Sequence, residues 1–167
     1  EQAADQRDYL HAADPARRYV ELIRAAMVAG EAHLNSPDGT HPENPDRWGW
    51  TAFEGGGNVP NYRAKGDCIG WVDCDAVYLE PSAAYRVAQK MGGQNDGFPV
   101  SERTLRKRLS EGGWLATTDR DRGKVVVRRT LQGHRRDVLH FNAARIMSDE
   151  SAQPAQEAQE AHDTGTE

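Results

Sequence analysis

Proline and glycine cut this 167-residue chain into short elements, and that punctuation limits the fold more than any other feature. Asp14-Pro15 predicts a helix start: Asp caps, and proline stands at the first helical position, where its missing N–H has no partner to lose. Behind it Tyr19, Val20, Leu22, Ile23, Ala26 and Met27 recur at helical spacing, so 15–34 reads as one amphipathic helix. Pro81 opens a second helix, with Ala84, Val87, Ala88 and Met91 on one face, and Gly92-Gly93 ends it. Ser101 caps a third over 101–111, with Val100 and Leu105 spaced as a hydrophobic staple and Gly112-Gly113 as its stop. Between the first two helices, Pro37, Pro42, Pro45, Pro60 and Gly55-Gly56-Gly57 argue against long regular elements over 35–66. Trp48, Trp50, Phe53 and Tyr62 in that stretch should still pack part of it onto the domain.

Strands fill the remainder. The runs 69–72 and 77–80, separated by Asp73-Cys74-Asp75-Ala76, read as a hairpin. A strand follows Trp114-Leu115, then a charged loop over 119–124. The runs 125–131 and 138–141 form a second hairpin around Gly133, with a tip expected to be mobile. The fold class is therefore α+β, with one domain over 14–147 and a core including Ile23, Val87, Leu105, Leu109, Leu115 and Leu139. The segments 1–13 and 148–167 are polar, and read as a flexible lead and a disordered tail. A charged fraction of 28% and a mean hydropathy of −0.83 agree with a polar chain carrying such ends.

Charge is segregated. Between Ser101 and Arg136 eleven bases face four acids, a net of +7, while the other 131 residues hold ten bases and 22 acids, a net of −12. Most of those bases are arginine, whose planar fork suits phosphate. At 100° per residue Arg103, Arg106, Lys107 and Ser110 share one face of the third helix, and Leu105 and Leu109 lie opposite. Leu105 and Leu109 then seat the helix while the basic stripe faces out, and a major groove about 12 Å wide admits such a helix. Arg122, Lys124, Arg128, Arg129, Arg135 and Arg136 belong to the following loop and hairpin, placed to meet flanking phosphate.

The run Ser101-Glu-Arg-Thr-Leu-Arg-Lys-Arg-Leu-Ser-Glu-Gly-Gly-Trp-Leu resembles the recognition helix and following strand of winged-helix DNA-binding domains, as does the ending Leu109-x-x-x-Gly113-x-Leu115. Ile69-Gly-Trp-Val-Asp through Val77-Tyr-Leu-Glu-Pro, with Val127-Arg-Arg-Thr-Leu and Val138-Leu-His-Phe, resembles C-terminal regions of bacterial and phage primase/helicase-type replication proteins. The resemblance covers 66–147. It implies an accessory module of a larger replication or mobile-element protein that binds duplex DNA, with the second hairpin as its wing. The connection 92–99 is longer than the turn of a strict helix-turn-helix, and the hairpin at 73–80 is no part of a minimal winged helix. The chain opens on Glu1 rather than Met, which suggests a segment of something longer or a processed product.

Other chemistry finds less support. Cys68 and Cys74, with His134 and His140, are conceivable zinc ligands, but Cys-x5-Cys falls outside finger spacing. Asp73, Asp75 and Glu80 could hold a divalent cation, although an Asp-rich turn is more often solvated. No Walker, G-x-S-x-G or H-E-x-x-H pattern occurs, so neither catalysis nor a cofactor is expected. No run approaches membrane-spanning length and no signal peptide is visible, so no membrane partner and a cytoplasmic address are expected. A protein-interaction module is the competing expectation, with the same arginines meeting an acidic partner or another domain of a parent chain, and with the Trp48/Trp50 loop as an exposed contact.

Overall fold

The computed structural model describes residues 14–93, 98–119 and 121–148. The flexible lead expected over 1–13 lies outside them, as do Arg120 and all of the expected tail except Ser148. Helix α1 spans Pro15–Ala29, and Asp14 Oδ1 accepts the Ala16 N–H at 3.0 Å. The helix stops well short of residue 34. Gly30 turns left-handed at φ 74°, and its N–H closes on the Ala26 and Met27 carbonyls. Strand β1, Ala32–Asn35, then leaves with all four residues buried. A fully buried strand shows no alternation, so its apolar residues read as one more helical turn.

The stretch 35–66 holds more regular structure than its prolines and glycines led us to expect. A 3-10 turn spans Pro45–Trp48, and β2 (Trp50–Phe53) pairs antiparallel with β3 (Asn61–Ala64) as a hairpin of its own. Gly49 joins the turn to β2 at φ 86°. A Cβ there would stand 2.2 Å from the Ala32 carbonyl oxygen, so only glycine lets the turn approach β1 this closely.

Among the described residues the main sheet also contains β4 (Asp67–Asp73), β5 (Ala76–Leu79), β6 (Leu115–Thr117), β7 (Val127–Leu131) and β8 (His134–Asn142). Its order is β1-β4-β5-β8-β6, with β7 on the first half of β8. β1 runs parallel to β4 and the other pairs are antiparallel, which makes the sheet mixed and the fold α+β. The hairpin expected at 69–80 is β4–β5, closed by Cys74-Asp75 with Cys74 at φ 51°.

Helices α2 (Pro81–Met91), α3 (Glu102–Glu111) and the short α4 (Ala143–Met147) complete the described chain. Ser101 Oγ accepts the Thr104 N–H at 3.2 Å, and Val100 packs half-buried against the core. Tyr85 Oη donates to the Val100 carbonyl at 2.9 Å, tying α2 to the start of α3. Phe98 is buried with ring centroids 6.1 Å from Tyr19 and 6.0 Å from Tyr85.

Strand alternation gives the sheet two different faces. Val72, Val77, Leu79, Leu139 and Phe141 join Tyr19, Ile23, Leu105 and Leu109 in the main core. Of the core expected from sequence, Ile23, Val87, Leu105, Leu109 and Leu139 are buried and Leu115 is half-buried against them. Burying one such side chain contributes about 1.5–3 kcal/mol. The opposite face carries a second cluster of Trp71, Val127, Leu131 and Val138, with Tyr78 packed against it and no helical residue among its members.

Candidate nucleic-acid interface

Leu105 and Leu109 are 2% and 0% exposed, and they turn the far side of α3 outward. An open groove of about 1090 Å³ runs along that side. It is lined by Arg103, Arg106, Lys107 and Ser110 of α3, by Lys124, Val125 and Val126, and by Asp137 of β8. The four α3 residues expected to form one stripe therefore do share a surface, with Lys124 beside them.

The groove also has acids. Glu80, Glu102 and Glu111 line it together with Asp137, so four carboxylates face its four bases. Glu102 pairs with Arg106 one helical turn on, and Lys107 Nζ lies 3.7 Å from Glu111. Among the described residues neither Arg103 nor Lys124 has a carboxylate partner within ion-pair distance. Beneath the groove the Tyr19 hydroxyl and Arg106 Nε are buried without hydrogen-bond partners. Burial, then the Glu102 and Glu80 carboxylates, push the Tyr19 hydroxyl far above its usual range.

The six loop and hairpin bases do not act as one patch. Arg122 Nε lies 3.7 Å from Asp119 within its own turn. In the β7–β8 ladder Arg128 stands opposite Asp137 and Thr130 opposite Arg135, on the side continuous with the groove. Arg128 Nε donates to Asp137 Oδ1 at 3.0 Å, and that bond holds the Asp137 carboxyl below its usual range. Arg129 stands opposite Arg136 on the other side. The Arg129 guanidinium lies 5.7 Å from the Tyr78 ring centre, and that of Arg136 lies 5.0 Å from Trp71.

The hairpin tip differs from expectation. It is held at two points: the Gln132 N–H donates to the Pro37 carbonyl at 2.7 Å, and Trp71 Nε1 donates to Gln132 Oε1 at 3.2 Å. The tip from Gln132 to Arg136, expected to be mobile, is thus anchored at its first residue by long-range contacts that local composition does not reveal. The Trp48/Trp50 contact surface is corrected as well. Trp48 is 5% exposed, and Trp50 Nε1 donates to the Leu34 carbonyl at 2.8 Å. The exposed apolar groups of that region are Phe53 and Val59, at 45% and 75%.

Cys68 and Cys74 stand at opposite ends of β4, roughly 20 Å apart at ~3.3 Å per residue. They cannot share one metal ion. Among the described residues no three His, Cys, Asp or Glu side chains converge as a metal site, and no helix is long and apolar enough to cross a membrane.

Tyr78 and Thr117 enter the site description only through structure, and His140, read from sequence only as a conceivable zinc ligand, joins them. The Tyr78 and His140 rings lie 4.9 Å apart at 34°, and Thr117 Oγ1 bonds His140 Nδ1 at 2.7 Å. The alternation in Val127-Arg-Arg-Thr-Leu and His134-Arg-Arg-Asp-Val was the available signal, since it sends adjacent arginines to opposite faces. Set against known proteins, the chain matches no family model, no curated protein and no solved structure.

Proposed function

We propose that the chain is a winged-helix DNA-binding module, an accessory part of a larger replication or mobile-element protein. In this reading duplex DNA docks along α3. The order α2, α3, β6, β7–β8 is that of a helix pair followed by a strand and a wing. The observation that carries the reading is the groove itself: Arg103, Lys107, Ser110 and Lys124 converge on one open surface, and among the described residues no carboxylate lies within ion-pair distance of Arg103 or Lys124. Arg128 and Arg135, on the groove side of the hairpin, then lie in reach of the flanking backbone. Phosphate contacts of this kind position a protein, and the three α3 bases could read guanine edges.

A fluorescence-polarisation titration with a labelled 20-base-pair duplex at 50 mM salt tests the proposal. If about six phosphates are neutralised, log K falls against log salt with a slope near −5. No binding at that salt would defeat the reading. One observation favours a protein partner instead: the groove has as many acids as bases, a mixed surface that duplex DNA does not need.

A further inference from the structure

The outer sheet face, opposite the helices, carries cations of a different kind. Arg129 and Arg136 are directly opposed in an antiparallel ladder, where such residues stand about 4.5–5.5 Å apart. Like charges in that position repel and destabilise the pair. The next pair along shows the usual remedy, Arg128 against Asp137. Arg129 and Arg136 have no such remedy, since among the described residues no carboxylate lies within ion-pair distance of either. Their guanidinium groups rest instead on the aromatic rings of Tyr78 and Trp71, and Arg136 Nε is buried with no partner.

Beside them is a row of flat groups. Trp71 pairs across the sheet with Tyr78, and Tyr78 with His140. Arg129 covers one part of Tyr78 and His140 another, and Thr117 fixes the His140 ring through Nδ1. Tyr78 and His140 are half-buried and Arg129 is exposed, so part of the row remains open to solvent. The Tyr78 and His140 rings already lie against each other, with Thr117 bonded to His140, so binding has fewer side-chain rotamers left to order. The face has one acid on its strands, Asp73, paired with Ala76 at the far end.

We propose that this face binds single-stranded nucleic acid. Tyr78, His140 and the Arg129 plane would stack unpaired bases, and Arg129 and Arg136 would hold the backbone phosphates. Splayed bases stack on aromatic rings and on guanidinium planes, and positively charged surfaces track the strand. A duplex has its bases inside and cannot use such a row. An acidic peptide would satisfy the arginines and leave the rings unused. The site goes beyond the α3 groove and stands even if duplex binding fails.

The test is polarisation of a labelled 12-mer of thymidylate and of the 20-base-pair duplex, both at 50 mM salt, with poly-glutamate as competitor. Tyr78→Ala and Arg129→Glu should each weaken the 12-mer about tenfold or more, and Tyr78→Phe should retain it. Arg103→Ala combined with Lys107→Ala should weaken only the duplex. Circular dichroism establishes that each variant is folded. Tyr78→Phe and the groove double variant keep the test decisive if the others misfold, because the site requires both to bind the 12-mer as the parent does. No 12-mer binding by the parent chain overturns the proposal and leaves the duplex reading in place. Equal loss of both ligands in Arg129→Glu also overturns it, because one surface would then serve both. Competition by poly-glutamate equal to that of unlabelled thymidylate removes the stacking role and overturns it too.

Discussion

The two faces of the β7–β8 hairpin each hold two arginines and give them different neighbours. On the groove side Arg128 meets Asp137, and across the groove Arg106 meets Glu102 and Lys107 meets Glu111. On the outer side Arg129 and Arg136 face each other over Tyr78 and Trp71, with no carboxylate of the described residues within ion-pair distance. The segment total of +7 therefore says little about where an anion would be held. What decides is the neighbour each cation is given: i,i+4 spacing and direct cross-strand pairing supply acids, and the outer face supplies rings.

Breaking the outer face at its base has the largest expected effect. Trp71 is buried, anchors the hairpin tip through Gln132 and lies under Arg136. Trp71→Ala should cost about 3–5 kcal/mol in denaturant unfolding. It should also expose the amides of β7 and β8 to hydrogen exchange before those of α3. Uniform loss of protection would mean that the two faces form one cooperative unit.

A sharper contrast comes from the groove acids. Glu102→Gln removes a carboxylate and frees Arg106, so duplex affinity should rise about threefold with the 12-mer unchanged, at a cost of about 0.3–1 kcal/mol in stability from the lost charge at the α3 N-terminus. Affinity that falls instead would show that the Glu102–Arg106 pair positions the helix surface. Arg103→Ala should lower duplex affinity and reduce the salt slope by about one.

Tyr19→Phe should stabilise the protein by about 1 kcal/mol, because it removes a buried hydroxyl that has no partner beneath the groove. A melting temperature unchanged or lowered would show that the hydroxyl is satisfied in solution. The smallest effect belongs to His140. Burial and then the Arg129 charge hold its ring below its usual range, so the unfolded chain takes up a proton at a higher pH than the folded one. Stability should therefore decline as pH falls below about 6.5 and level off once the folded ring protonates, and His140→Phe should flatten that decline.

Much of this architecture was legible in the amino-acid order. Asp14, Pro81 and Ser101 marked the three long helices to within a residue or so at their starts, and the spacing of Leu105 and Leu109 placed the α3 stripe on one surface. The miss at 30–35 arose where a buried strand continued a helical pattern beyond Gly30. Trp50 and Gln132 were misjudged because their partners, Leu34 and Pro37 with Trp71, lie far away in sequence. The pairing of Arg106 with Glu102 was visible as i,i+4 spacing, whereas the opposition of Arg129 and Arg136 needed the ladder register.

That register has one more consequence. β8 writes three messages in alternating letters: Leu139 and Phe141 to the core, Asp137 to the groove, and Arg136, Val138 and His140 to the outer face. A one-residue slip of β8 against its neighbours would exchange all of these addresses, sending Asp137 among the rings, Arg136 toward α3, and Leu139 and Phe141 out of the core. The two surfaces are thus encoded on one strand, and a change of frame there cannot alter one without rewriting the other.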